Sequence, residues 1–216
     1  MGHEATLKRK RRAANLHLAK GMRLEGAMEM PLLEPFGKGL PMRLMPFNRA
    51  MTATRHDCCV HFFLVDYQFE RVWRLPEKYL PVLKRFESVL SPDFSLLADM
   101  PLPLQVFNTY RNRFIGRWLQ SQGVEVIPTV SWSDARSFAF CFDGIPAGGT
   151  VAISTVGTRK NEYARHLWER GATAMMERLK PSAVLVYGQP ARFDFGKAEV
   201  RYYPNEITEK LHNHGR

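Results

Sequence analysis

The sequence has few cysteines and no long apolar run, and each shortage excludes a class of protein. Three cysteines, two of them adjacent, occur in 216 residues. They cannot form a disulfide framework, which favours a reducing, cytoplasmic compartment. No apolar stretch approaches the ~18 residues of a membrane-spanning helix, so we expect no membrane association. The basic stretch near the N-terminus is not followed by the apolar segment of a signal peptide.

Familiar catalytic signatures are also missing. The chain has no Walker sequence, no dinucleotide-binding glycine fingerprint and no Gly-x-Ser-x-Gly elbow. His56, Cys58, Cys59 and His61 are close in sequence, but their spacing fits no zinc site. Sequence motifs therefore do not identify a reaction, and they leave open whether the protein is an enzyme.

Positive charge is plentiful and unevenly placed. The chain has 31 Lys and Arg against 21 Asp and Glu, a formal net charge of +10. Five consecutive cations lie near the N-terminus: Lys8, Arg9, Lys10, Arg11 and Arg12. Such a cluster suits a polyanion, and nucleic acid is the commonest one, so nucleic acid is the predicted partner. A solvated tail that only aids solubility is the alternative interpretation.

Composition divides the chain into three regions. Residues 1–50 are predicted to form a basic arm and an irregular segment that wraps the domain, because prolines and glycines interrupt its second half. Residues 51–205 alternate strand-like and helix-like patterns and form the predicted α/β domain. Residues 206–216 are predicted to be a polar tail.

The pattern of apolar residues predicts the fold class. Predicted strands cover residues 60–65, 88–91, 124–130, 150–155, 183–187 and 200–203, and predicted helices cover residues 13–30, 77–86, 99–122, 135–142 and 160–179. Strands that are apolar throughout and separated by helices favour parallel pairing through right-handed crossovers. We predict an α/β fold with a mostly parallel sheet of about five to six strands and flanking helices. An open sheet is favoured over an incomplete barrel.

Three carboxylates follow predicted strands. Parallel α/β folds bind ligands beyond the carboxyl ends of their strands, and Asp66, Asp93 and Asp134 each lie at such an end. Clustered carboxylates can hold a divalent metal ion, or they can supply a general acid and base. We therefore predict that these three are catalytic, with a divalent metal ion as the candidate cofactor. A helix cap for Asp134 and a turn role for Asp93 are the alternatives.

The long predicted helix after Asp99 has an unusual polar side, with Asn108, Arg111, Arg113 and Arg117. Guanidinium groups bind phosphate bidentately, and an amide can orient a base or a sugar. These four residues are predicted to bind nucleic acid or phosphate. A solvated helix face is the alternative.

A second candidate anion site lies between a predicted strand and a predicted helix. Ser154, Thr155 and Thr158 occupy this turn, where backbone N–H groups at a helix start can bind an anion. The alternative is a plain turn capped by Thr158.

Several short segments of the sequence resemble those of a known protein family. They include Val60-His61-Phe62-Phe63, Asp66-Tyr67-Gln68-Phe69-Glu70-Arg71, Ser91-Pro92-Asp93-Phe94-Ser95, Asn108-Thr109-Tyr110-Arg111-Asn112-Arg113 and Cys141-Phe142-Asp143-Gly144-Ile145. Over residues 47–190 the chain resembles an uncharacterised family, a domain of unknown function found in Firmicutes-type bacteria, their phages and mobile elements. The resemblance implies a compact α/β domain associated with mobile genetic elements, and it implies no activity or catalytic residue.

The sequence thus favours a nucleic-acid-associated protein of a phage or mobile element, with processing of nucleic acid as one form of that hypothesis. An enzyme that acts on a phosphate-bearing small molecule through its strand-end carboxylates is the first alternative. A non-catalytic module with a host protein as its partner is the second.

Overall fold

The computed structural model describes residues 3–158 and 160–205. The predicted polar tail, residues 206–216, lies outside the described residues, as do the side chains of Lys8 and Arg9. Helices are α1 (His3–Ala13), α2 (Phe47–Ala50), α3 (Glu70–Arg74), α4 (Pro76–Leu83), α5 (Leu102–Ser121) and α6 (Glu162–Leu179). Strands are β1 (Leu24–Glu25), β2 (Met30–Pro31), β3 (Leu44–Pro46), β4 (Cys59–His61), β5 (Ser88–Leu90), β6 (Val126–Ile127), β7 (Thr150–Ser154), β8 (Ala183–Tyr187) and β9 (Glu199–Tyr203). Short 3-10 helices cover Leu16–Leu18, Asp66–Gln68 and Ala135–Ala139.

Two parallel sheets lie side by side. One has the order β3-β4-β5-β6 and the other the order β7-β8-β9. A parallel bridge between Thr129 and Ala152 joins them, and the Val130 N–H donates to the Ala152 carbonyl at 2.8 Å. Strand order therefore follows chain order across both sheets, as it does when each crossover leads to the neighbouring position. The predicted α/β class, with parallel strands flanked by helices, is confirmed.

The sheet curves around a buried cluster. This inner cluster collects side chains from both sheets, among them Cys59, Leu90, Ile127, Ala152, Leu185 and Tyr203. The ring of His61 in β4 lies 4.6 Å from the ring of Tyr187 in β8. In a flat sheet these strands would be four spacings, or roughly 19 Å, apart, so the ring contact requires strong curvature. Within the described residues no ladder joins β9 to β3, and the sheet is not a closed barrel.

The central strands are buried on both faces, which explains their continuous apolar sequences. Every residue of β8 is buried. Ala183, Leu185 and Tyr187 face the inner cluster, whereas Val184 and Val186 pack with residues of α6 on the other face. Side chains alternate between the faces of a strand, and each fully buried Val or Leu stabilises the fold by about 1.5–3 kcal/mol.

The fit of α6 against the sheet depends on one glycine. The helix begins after Asn161, whose side-chain oxygen accepts a hydrogen bond from the Ala164 N–H at 2.8 Å. Gly171 lies directly against the indole of Trp132, and a Cβ at position 171 would overlap that ring. The close approach fixes Trp132 at the carboxyl edge of the sheet.

The segment before residue 51 differs most from its predicted form. Residues 13–30 do not form the predicted helix, because Gly21 and Gly26 adopt left-handed backbone angles and the chain folds into the antiparallel β1–β2 hairpin. Strand β3 lies in the stretch predicted to be irregular and pairs with β4. Leu33 and Phe47 are fully buried in the same cluster as the β4 side chains. This segment therefore forms part of the domain core.

Within the described residues, none of the helices has the length and apolarity needed to span a membrane.

Candidate active site

A cavity of about 750 Å³ opens at the carboxyl ends of the parallel strands. Each of these strands places a residue in its wall, at or just beyond the strand end. In strand order these residues are Pro46, Phe63, Asp93, Ser131, Ser154, Tyr187 and Asn205. The volume is that of a typical small-molecule site, and the position is the one expected in a parallel α/β fold.

Asp93 is the central ionisable group of the cavity. Its carboxylate accepts a hydrogen bond from the hydroxyl of Ser131. The carboxyl group reaches the cavity, but protein atoms surround most of it, and this burial is the main cause that raises its pKa to about 7. The nearby charge of Asp66 raises the pKa further, whereas Ser131 and Arg113 act in the opposite direction. A carboxyl group with such a pKa can both accept and donate a proton near neutral pH.

Asp66 lies next to this group and holds the loop that carries it. Its carboxylate accepts hydrogen bonds from the Ser95 N–H at 3.1 Å and from the Ser95 hydroxyl at 2.7 Å. The amide of Asn108 donates to the Ser95 carbonyl at 2.7 Å. Asp66 is not part of the cavity wall. Asp66 and Asn108 therefore fix the loop beyond Asp93, and neither is placed to contact a ligand.

The structure does not bring Asp134 to this pair. Asp134 caps the Ala135–Ala139 helix, accepting from the Arg136 N–H at 3.0 Å, and it forms an ion pair with the Arg136 guanidinium at 2.8 Å. The hydrogen bond from Arg136 lowers the pKa of Asp134, so this carboxylate stays charged. Across residues 3–158 and 160–205, no three His, Cys, Asp or Glu side chains form a group that could hold a metal ion. The three predicted carboxylates thus do not form a metal site.

Arg113, predicted to bind phosphate, lies in the core with 1% of its surface exposed. Its Nε donates to the Asp143 carbonyl at 2.9 Å. Its terminal nitrogens donate to the carbonyls of Thr129 at 3.0 Å and Cys141 at 2.6 Å. The predicted phosphate role of Arg113 is therefore corrected to a structural one, because its donors are directed at backbone carbonyls and at the side chain of Asn112.

The other polar residues of α5 also make internal contacts. Arg111 forms an ion pair with Glu70 at 2.7 Å and lies 3.8 Å from the ring centre of Phe94. Its second terminal nitrogen donates to Asn108 at 2.6 Å. Arg117 pairs with Glu34 at 3.3 Å. The predicted phosphate-binding side of α5 is therefore largely buried, and these contacts tie the helix to its surroundings.

The turn after β7 is only partly in the cavity. Ser154 and Thr158 lie in its wall. The Thr158 hydroxyl donates to the Thr155 carbonyl at 2.8 Å, and the buried Thr155 hydroxyl donates to the Gln189 carbonyl at 2.7 Å. The hydroxyls of this turn therefore bond within the chain, but α6 is capped by Asn161 and not by Thr158, and Thr155 has a structural role. Ser154 and Thr158 keep their positions as candidate ligand contacts.

The sequence pattern missed two cationic residues of the wall. Arg49 follows β3 and Lys160 follows the turn after β7. Among the described wall residues, Asp93 is the one carboxyl group, so the wall has more cationic than carboxyl side chains. Lys160 could have been found from its position beyond a predicted strand. Arg49 could not, because β3 was not predicted.

Aromatic residues form the remaining walls. Phe63 and Tyr187 stack with their ring centres 4.9 Å apart. The ring centres of Trp132 and Trp168 are 6.2 Å apart. The Trp168 indole N–H donates to the Ser154 carbonyl at 2.8 Å. These packed rings offer a rigid apolar surface beside the polar groups of the cavity.

The basic N-terminal cluster lies on a helix of its own. The side chains of Lys10, Arg11 and Arg12 are exposed on α1. The helix lies against the Leu16–Leu18 turn. Just beyond it, the Asn15 amide donates to the Trp73 carbonyl at 2.6 Å and fixes the chain to the domain.

Fold and site together define a parallel α/β protein with a ligand cavity at the carboxyl edge of its sheet. Residues 22–204 match the family described as "Domain of unknown function (DUF4417)", and the chain belongs to that family. The match extends past the predicted residues 47–190 at both ends, so it includes the β1–β2 hairpin and β9.

Curated relatives come from phages. "Gene 1 protein" of Mycobacterium phage L5 is 40% identical over 193 residues, which cover 88% of this chain and 84% of the relative. "Gene 1 protein" of Mycobacterium phage D29 is 42% identical over 184 residues, which cover 82% of this chain and 67% of the relative. No solved structure gives a significant match. The predicted association with phages is confirmed, and the link to Firmicutes-type bacteria stays a prediction.

Proposed function

We propose that this protein is an acid–base enzyme that acts on a nucleotide unit bound in the strand-end cavity. One observation carries the proposal. Asp93 lies in a cavity at the carboxyl ends of the strands, with its pKa raised by burial to about 7. Perturbed carboxyl groups in such cavities are characteristic of catalytic sites.

Asp93 would move a proton at the reacting group. In its charged form it takes a proton from an attacking water or hydroxyl group, and in its neutral form it gives one to the leaving group. The Ser131 hydroxyl donates to the carboxylate and so fixes its orientation. Asp66, which holds the following loop through Ser95, keeps Asp93 in place.

The rest of the wall supports a nucleotide as the substrate class. Arg49 and Lys160 can pair with phosphate oxygens. Phe63 and Trp132, which are partly exposed, offer ring surfaces for a base. A nucleotide combines an anion and an aromatic ring at a spacing that a cavity of about 750 Å³ can hold.

Replacing Asp93 with asparagine should abolish turnover and leave the fold intact, because the amide has nearly the same shape but cannot exchange a proton. We expect a loss of at least about a hundredfold in rate. The measurement is chromatographic detection of products from nucleotides and short oligonucleotides, with and without divalent metal ions. Asp134→Asn is the matched control, since Asp134 caps a helix outside the cavity, and its rate should stay unchanged. Full activity of Asp93→Asn, or no product from the unmodified protein with any of these substrates, would contradict the proposal.

A second candidate function is association with nucleic acid through α1. It is favoured by the run of exposed cations on this helix, and the phage origin of the relatives is consistent with it. Phosphate contacts from such side chains bind without sequence preference and weaken steeply with salt. This function is independent of the cavity and can coexist with an enzyme activity.

Changing Lys10, Arg11 and Arg12 together to glutamine should weaken DNA and RNA binding and reduce its salt dependence. Three lost phosphate contacts correspond to a decrease of about 2.7 in the slope of log affinity against log salt. Fluorescence anisotropy over a salt series measures both quantities. The matched control changes three exposed cations elsewhere, Lys84, Arg192 and Lys197, to glutamine. Equal losses from the two triple variants, or binding that salt does not affect, would exclude α1 as the binding element.

A further inference from the structure

The mouth of the cavity has an apolar rim. Three residues of the cavity wall are more than half exposed: Val65 at 62%, Leu97 at 54% and Val156 at 54%. They come from three different loops, which follow β4, β5 and β7. Apolar side chains gathered around a polar cavity mark a binding surface more often than a free one.

An aromatic ring stands beside this rim. Tyr67 lies between the cavity residues Val65 and Gln68, in the Asp66–Gln68 turn, and 77% of its side chain is exposed. Tyr163 is similarly exposed in the first turn of α6, close in sequence to Lys160 of the wall. Rings this exposed add little to the core, so their apolar surface is available to a ligand that extends out of the cavity.

Charge and shape together indicate the kind of ligand. The wall has two cationic side chains, Arg49 and Lys160, against the single carboxyl group of Asp93, and the ammonium group of Lys160 can pair with an anionic ligand. A row of phosphates with aromatic bases between them complements a surface that offers both cations and exposed rings, the combination by which proteins bind single strands. In a duplex the second base from the end is paired and stacked on both faces, so neither face is open to a tyrosine ring.

We propose that the cavity receives the terminal nucleotide of a single-stranded nucleic acid and that the next base stacks on Tyr67 at the rim. This inference rests on the proposed function, because it takes the cavity to be the nucleotide site. It adds that the substrate is a strand end, and that residues outside the cavity contribute to its affinity.

The test is a length series. Binding of thymidine monophosphate and of thymidine oligonucleotides of increasing length is followed by calorimetry, with the matching RNA series in parallel. Affinity should rise about tenfold when the second nucleotide is added and then level off. Tyr67→Ala should remove this gain and leave mononucleotide affinity unchanged, whereas Tyr67→Phe should keep the gain because it retains the ring. Tyr202→Ala, at an exposed tyrosine of β9 outside the cavity wall, is the control and should change neither value.

The outcomes separate this inference from the proposed function. If mononucleotides bind and are converted but added nucleotides bring no gain, the strand-end inference is overturned and the proposed function stands. The same holds if Tyr67→Ala keeps the gain, or if a blunt duplex binds as well as a single strand. If neither mononucleotides nor oligonucleotides bind, both proposals are overturned, and the rim would then be tested as a protein-binding surface.

Discussion

Replacing Arg113 with alanine should lower the free energy of unfolding by about 3–5 kcal/mol. The guanidinium is buried in the core, where it binds the carbonyls of Asp143, Thr129 and Cys141 and the side chain of Asn112. Removing it takes away a donor from each of these acceptors in a place that water does not reach, and each such loss costs about 1–3 kcal/mol before relaxation. The Thr129 carbonyl keeps a second donor, the Asn112 amide at 3.3 Å. It also opens a cavity in the core next to Gly144, which lies against the Arg113 side chain.

The Arg113 side chain is difficult to replace with another residue because it carries a charge in the core. Burial lowers the pKa of Arg113 to about 10, so the group remains charged at neutral pH. Methionine would fill most of the space but donate no hydrogen bond. Lysine would keep a charge but could not reach several carbonyls from one point. We expect both variants to be destabilised as well.

Urea unfolding followed by circular dichroism measures the effect, which corresponds to a drop in Tm of roughly 10 °C for a chain of this size. The matched control is Arg165→Ala on the exposed side of α6, where the ion pairs with Glu162 and Glu169 are open to solvent. It should cost less than about 0.5 kcal/mol. A stable Arg113→Ala variant with weakened nucleotide binding would restore the phosphate role predicted from the sequence.

Local sequence patterns predicted the regular part of the fold well. The run of residues 183–187 became β8, and the predicted helix of residues 160–179 is α6 within two residues. These elements are determined by burial on both faces of a strand and by helical periodicity, which are properties of neighbouring residues. The predicted parallel pairing followed from the same apolar runs.

Elements set by distant contacts could not be predicted in this way. Strand β3 has three residues and ends in a proline, so its pairing with β4 shows no period of its own. The polar side of α5 has a sequence that suits either solvent or a buried network. Which of the two it becomes depends on residues distant in sequence, such as Glu70, which pairs with Arg111 from 41 positions away, and Glu34, which pairs with Arg117.

The sequence predicted where in the fold the candidate site lies, but only some of the residues that form it. The strand-end rule located Asp93 and Ser154, which lie in the cavity wall. It selected Asp134 equally, because a carboxylate after a strand can cap a helix or face a ligand. The choice is made by Arg136, which draws Asp134 into a cap and an ion pair. Sequence order alone does not show where that guanidinium points.

Asp93→Asn should make the protein more stable above pH 7, even as it removes the proposed activity. In the folded protein the pKa of Asp93 is raised to about 7 from an ordinary value of 3.8. Between these two values the unfolded chain releases the proton while the folded chain keeps it, so stability falls as pH rises. The difference of about three units sets an upper limit of about 4 kcal/mol. Because the carboxyl group reaches the water of the cavity, we expect roughly 1–3 kcal/mol.

Urea unfolding from pH 4 to pH 9 separates this effect from other titrations. Wild type and Asp93→Asn should have similar stability near pH 4, diverge as pH rises towards 7, and keep a constant difference of roughly 1–3 kcal/mol above it. Asp143, whose pKa burial also raises, titrates in both proteins and cancels in the difference. A difference that does not change with pH would mean that Asp93 has no raised pKa, and the acid–base role would lose its main support. A gain in stability only at high pH would show that the fold tolerates a costly carboxyl group in its cavity, as active sites do when function opposes stability.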